Sequence, residues 1–233
     1  MDAVTIKDVG GAVRVGFSGK ALGNTNDKFG AGGEQNFAKF KAAFDGKIIY
    51  DMPAVGGDQI IEVDGQMPTQ VWAQEGDALI TKNKDAVLTL RAADCIPLVF
   101  FVPGQPVLAL AHVGSPGAAL HLPRKVVEHL GIEPAKLHVY FGPSISQKSY
   151  RFEPDKFEKK LDASWDEYIS HEPDGIHLDL QGYVKDELKS CGITDENMVF
   201  EDADTHDEDF FSHRRHRLTG EPTGRNAFAV HLL

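Results

Sequence analysis

Apolar residues are densest between Ile96 and Val113, where the runs Ile96 to Val102 and Val107 to Val113 flank Pro103-Gly104-Gln105-Pro106. Two short apolar runs separated by turn residues predict a β-hairpin. Further strands are predicted at Ile60 to Val63, Ala86 to Leu90, Leu137 to Phe141 and Phe228 to Leu232. Helices are predicted at Asn36 to Phe44, from Pro123 to a closing Gly131, at Pro154 to Leu161, and at Leu180 to Ser190 with Asp179 as N-cap. Strands lie next to strands in the middle and helices to either side, which favours α+β over a regular α/β wind. No repeat and no Ser/Pro-rich linker divides the sequence, so residues 1–233 read as one domain.

Cys95 heads the first run and His112 lies near the tail of the second, and hairpin parity decides whether they meet. A turn centred between Pro103 and Gly104 makes paired positions sum to 207 and puts Cys95 opposite His112, roughly 5 Å apart between Cβ atoms. A loop of Pro-Gly-Gln-Pro raises the sum to 209 and makes them diagonal neighbours on one face, about 7 Å apart. A loop of odd length would place them on opposite faces, because a slip of one residue turns every side chain over. Asp94 begins this apolar strand, where a carboxylate needs a partner or a function. Gly114-Ser115-Pro116-Gly117 follows the histidine as a turn whose backbone can approach a ligand closely. A thiol beside an imidazole serves as an activated nucleophile or as two metal donors, and on burial alone it is equally two core residues.

Charge narrows the classes. There are 24 basic and 35 acidic side chains and a net charge of -11, which opposes binding to a phosphate backbone, so no nucleic-acid partner is expected. No run approaches the roughly 18 apolar residues that span a bilayer and no secretory leader is evident, so a soluble, cytoplasmic protein is expected. Two cysteines exclude a disulfide framework, and Cys191, at the glycine-closed end of a helix, reads as structural. The glycine-rich stretch Gly16 to Gly33 lacks a phosphate-loop pattern and reads as a surface loop. Against the acidic background, Arg214, Arg215, Arg217 and Arg225 gather with His206, His213 and His216 near the C-terminus. Guanidinium forks suit phosphate or carboxylate, so the cluster is either a site for a small anion or a neutralising partner of the acidic run Glu201 to Asp209.

Taken in order, "ADCIP", "HVGSPG" with its histidine 17 positions after the cysteine, "FGPSI", "HLDL", "FFSHRR" and "TGR" resemble the YfiH-like laccase-domain family, from about Gly16 to Leu233. Members of that family are known as multicopper polyphenol oxidoreductases and as purine nucleoside phosphorylases. The resemblance implies a single α+β domain with α/β/β/α layers, related to cysteine hydrolases of the deamidating-toxin type. It also implies catalytic roles for Cys95, His112 and Asp94, metal ligation by Cys95 and His112, and substrate contacts from Arg214, Arg215, Arg225 and Asn36. The implied substrates are a nucleoside and phosphate, and the implied cofactor is zinc ahead of copper.

The departures from the pattern fall at the site itself. Gly56, in Ala54-Val55-Gly56-Gly57, stands where the family has a ligand histidine, so the metal is expected to be altered or absent. Ser115 and Pro116 stand where it has tryptophan and arginine. His121, nine residues after His112, is the candidate replacement ligand. Three readings stay open: a phosphorylase or deaminase acting on purine nucleosides, a metal-free cysteine hydrolase using Cys95 and His112, and a non-catalytic small-molecule-binding protein. Oligomeric state is left open.

Overall fold

The computed structural model describes residues 2–44, 47–64, 72–154 and 161–233. Within them the chain opens with the antiparallel pair β1 (Val4–Val9) and β2 (Val13–Ser18), then α1 (Gly33–Lys41) and β3 (Ile48–Met52). There follow β4 (Ile60–Glu62), β5 (Trp72–Ala73), β6 (Ala78–Thr81) and β7 (Ala86–Ala92). The expected hairpin is β8 (Ile96–Phe101) and β9 (Leu108–Val113), and α2 (Ser115–Ala119) and α3 (Leu122–Leu130) come directly after it. The rest is β10 (His138–Phe141), β11 (Arg151–Phe152), β12 (Ile169–Glu172), β13 (Gly175–Leu178), α4 (Leu180–Ser190), β14 (Met198–Phe200), α5 (His213–Thr219) and β15 (Asn226–Leu232).

Two six-stranded sheets, β1-β2-β15-β7-β3-β5 and β14-β10-β8-β9-β6-β4, carry the fold, with a three-stranded sheet β11-β13-β12 beside them. Period-two alternation sorts each strand between two cores. Val99, Phe101, Leu108 and Leu110 of the second sheet pack against Val15, Tyr50, Leu88 and Phe228 of the first, forming the layer between the sheets. The intervening residues Leu98, Phe100, Ala109 and Ala111 face outward onto Leu122 and Val126 of α3 and onto Leu180, Val184 and Leu188 of α4. On the far side, Val87, Ala227 and Ala229 pack under Phe37 and Phe40 of α1 and the following Phe44. Each such large side chain taken from water contributes about 1.5–3 kcal/mol, which is what holds the α/β/β/α layers together.

The differences from expectation have local causes. The first helix starts at Gly33, not Asn36, because Asp27 Oδ1 accepts the Gly33 N–H at 2.6 Å and so satisfies its first turn. Gly16 to Ser18 of the glycine-rich stretch belong to β2 and Gly33 to α1, and the loop between them is broken by single helical turns at Lys20–Leu22 and Asp27–Phe29. Most of the helix expected over Pro154 to Leu161 lies outside the described residues. Among the described residues, no helix is long and apolar enough to cross a membrane.

Candidate functional site

Hairpin register settles the parity question. Pro97 pairs with His112 and Ile96 with Val113, so positions sum to 209 and Cys95 falls opposite Gly114 with His112 on the diagonal. Both side chains therefore point to the inter-sheet face, at the end of the strands. Gly114 is needed here for close approach, since a Cβ on it would sit 2.8 Å from Cys95 Sγ. Both groups are held neutral. Burial and the neighbouring Asp94 carboxylate push the Cys95 thiol up to about 12, with Arg225 pulling the other way. Burial draws His112 down to about 4 against the opposing pull of Asp77.

Asp94 sits in the turn between β7 and β8 at φ 84°, a strained backbone for a non-glycine residue. Its Oδ1 accepts from Thr205 Oγ1 at 3.0 Å and its Oδ2 accepts the Arg214 N–H at 2.6 Å. Both oxygens are thus occupied in tying the cysteine turn to the start of α5, the arrangement of a positioning group. From that start Arg214 lays its guanidinium 3.8 Å over the ring of Phe152 and 5.4 Å from that of Tyr150, and its buried Nε has no hydrogen-bond partner among the described residues. Asn226 lies opposite Ala92 across β15 and β7, which places Arg225 beside Ala93, two residues before Cys95. Arg225 stacks 3.7 Å over Phe29, and its charge reaches both Cys95 and His112. Asn36 acts on it at one remove: Asn36 Nδ2 donates to Asn24 O at 2.9 Å, and Asn24 Oδ1 accepts the Arg225 N–H at 3.0 Å.

Two of the expected site residues point elsewhere. Arg215 is turned into the protein, where Nε donates to Glu221 at 2.6 Å, Nη1 to the carbonyls of His206 and Asp207, and Nη2 to that of Phe210. Its fork is filled by the loop before α5, not offered to an anion. His121 is in the outer helical layer, its Nδ1 2.6 Å from Glu187 Oε1 on α4, whereas Cys95 and His112 face the inner side of the second sheet. It does not replace a ligand there.

The sequence reading also missed residues that the fold brings in. Asp77, fully buried just before β6, has Oδ1 3.9 Å from His112 Nδ1. Tyr150 places its hydroxyl 3.5 Å from Ser115 Oγ, so the serine standing in place of the family's tryptophan meets a tyrosine from another loop. Tyr150 lay in no motif, and an isolated aspartate before a strand has no spacing that marks it.

The metal implied by the resemblance fails on the donor set. A catalytic zinc takes three protein ligands and an open position, and Cys95 with His112 supplies two. Gly56 adds none, and its φ of 79° with its N–H on Asp77 Oδ1 at 2.8 Å is a conformation that disfavours a histidine there. Among the described residues, no group of three or more His, Cys, Asp or Glu side chains is placed to hold a metal ion.

Comparison with known proteins places the fold. A purine nucleoside phosphorylase of Deinococcus radiodurans is 31% identical over 144 residues, 60% of this chain but only 56% of the relative's own length. A purine nucleoside phosphorylase of Rickettsia conorii is 26% identical over 201 residues, covering 84% of this chain and 82% of the relative. The crystal structure of the Bacillus licheniformis hypothetical protein YfiH has the same fold, with a TM-score of 0.77 at 24% identity over 95% of this chain and 93% of that one. The profile of the multi-copper polyphenol oxidoreductase laccases matches residues 4–233 from strand β1 to the last residue, and the chain belongs to that family.

Proposed function

We propose that the cleft between the sheets cleaves purine nucleosides by phosphorolysis, exchanging the base at the anomeric carbon for phosphate. The observation that carries this reading is a pair of aromatic-backed arginines around the Cys95 and His112 pair: Arg225, whose charge acts on both, and Arg214, which lies against Tyr150, a ring that itself feels Cys95. The relatives named purine nucleoside phosphorylase support the substrate class. In this assignment the arginines hold the phosphate dianion in a fixed position, which is how such clamps lower a phosphate-transfer barrier. Neutral His112 accepts a hydrogen bond from the bound reactants, and Tyr150 with Ser115 lines the opposite wall. No step is routed through a metal. A cysteine nucleophile is disfavoured by the thiol itself, since a group pushed to about 12 carries almost no thiolate at neutral pH.

Incubation of adenosine or inosine with the full-length protein is expected to release free base only when phosphate is present. Release that is independent of phosphate, or none from either nucleoside, contradicts the reading. The acid limb offers a second check. Because burial favours the neutral imidazole, His112 stays unprotonated until pH approaches about 4, and kcat/KM for the nucleoside, taken with the phosphate dianion kept saturating at every pH, should remain level from pH 8 down to roughly 5. A half-fall near the ordinary imidazole value of about 6.5 would show that another group, or a differently placed His112, governs the rate.

A further inference from the structure

Asp77 and His112 are joined twice. The His112 N–H donates to the Asp77 main-chain oxygen at 2.8 Å, which continues the β6–β9 ladder by one residue and brings the two side chains to the same end of the sheet. There the carboxylate is fully buried, with Oδ1 taken up by the Gly56 N–H at 2.8 Å. Among the described residues its Oδ2 has no partner, and neither has His112 Nδ1, although that nitrogen lies only 3.9 Å from Oδ1. Oδ1 keeps a lone pair beyond the one that takes the Gly56 N–H, so the buried ring nitrogen 3.9 Å from it suits one protonation state, the one in which Nδ1 carries the hydrogen. The carboxylate cannot readily turn away to find another donor. The Gly56-Gly57 backbone packs against it so closely that a Cβ on Gly57 would lie 3.1 Å from Oδ2.

The charges around the ring point the same way. Arg225 acts on His112 from the β15 side and disfavours a second proton on the ring, while Asp77 acts from the β6 side and favours an N–H directed at itself. Burial, the largest influence on the ring, keeps it neutral against the pull of Asp77. Reaching hydrogen-bond distance needs a closure of under about 1 Å, of the kind that catalytic contacts undergo when substrate binds.

We infer that Asp77 is a positioning residue that holds His112 in its Nδ1–H tautomer, leaving the lone pair on Nε2 for the reactants in the cleft. The consequence for turnover rests on the nucleoside reading above; the tautomer itself does not. In a chain where Gly56 offers no side chain to orient the imidazole from outside, orientation falls to this buried carboxylate, whose Oδ1 also holds the Gly56 loop in place.

The test is long-range 1H–15N NMR of the full-length 15N-labelled protein, with the His112 signals identified by their loss in His112→Gln. Wild type is expected to show a protonated Nδ1 and an unprotonated Nε2. In Asp77→Ala both carboxylate oxygens are gone, so Nδ1–H loses its acceptor and the ring should shift towards Nε2–H, with a lower melting temperature because the Gly56 N–H also loses its partner. If nucleosides are cleaved, kcat should fall roughly a hundred- to ten-thousandfold with KM little altered, the scale on which a wrong histidine tautomer slows a hydrolase. A wild-type ring protonated at Nε2, or a tautomer that is the same in Asp77→Ala, overturns the assignment, and the wild-type spectrum alone decides it should the variant fail to fold. An Nδ1–H ring that switches in the variant sustains the assignment even where nucleosides are untouched, a result that would count against the nucleoside reading alone.

Discussion

Arg215→Met is expected to lower the unfolding free energy by about 3 kcal/mol, the cost of stripping the cation from a buried, fully bonded ion pair. Methionine roughly keeps the volume, so the loss is chiefly one of hydrogen bonds. Glu221 is left without its bond to Nε, and the carbonyls of His206, Asp207 and Phe210 lose the donors that draw the loop around the guanidinium. Partial exposure of Glu221 keeps the cost at the lower end for such pairs, because water can replace the missing donor at its carboxylate. In a chain of this size the change corresponds to a melting temperature lower by about 6–12 °C in a thermal scan. A drop of less than about 1 kcal/mol would mean that the loop is held by other contacts and that Arg215 is spare for a ligand.

The second large effect is on activity. Arg225→Met keeps an apolar stem over Phe29 but removes the charge felt at Cys95 and His112, and it should reduce kcat/KM for nucleoside cleavage roughly a hundred- to a thousandfold, as loss of one pre-set donor to a developing anion does. Stability should change little, because the bonds between this position and the loop over Asn24 and Thr25 use the Arg225 main chain. The substitution has a spectroscopic sign as well. Arg225 opposes protonation of His112 and favours the Cys95 thiolate, so its loss should raise both groups' pKa values. A variant whose kcat/KM stays within roughly threefold of wild type would remove Arg225 from the phosphate site.

How much of this was legible in the sequence depended on the range over which each residue acts. The hairpin was readable because parity is local: any even loop puts Cys95 and His112 on one face, and the register realises the longer alternative. Helix α4 was readable for the same reason, its residues and its Asp179 cap appearing where the periodicity puts them. The pair β1–β2 announces itself by alternation around Gly10-Gly11, a signal overlooked in favour of the more apolar centre. The arginine cluster showed the opposite limit. Arg214 and Arg215 are neighbours in sequence, yet a helix turns successive side chains about 100° apart, so one faces the cleft and the other the protein interior. His121 failed as a ligand candidate because nine residues separate it from His112 but a whole sheet layer lies between them. Asp77 came from a separate strand, and only the pairing of β6 with β9 makes it a neighbour of the histidine.

The central claim is that the cleft holding Cys95, His112, Arg214 and Arg225 transfers a pentose from a purine to phosphate. Following inosine and phosphate by 31P NMR with the full-length protein tests it most directly. The account predicts a pentose 1-phosphate resonance that grows in step with free hypoxanthine and is lost, or slowed at least about a hundredfold, in both His112→Ala and Arg225→Met. Hypoxanthine appearing with no new phosphorus signal, or a pentose 1-phosphate formed equally well by both variants, would contradict it.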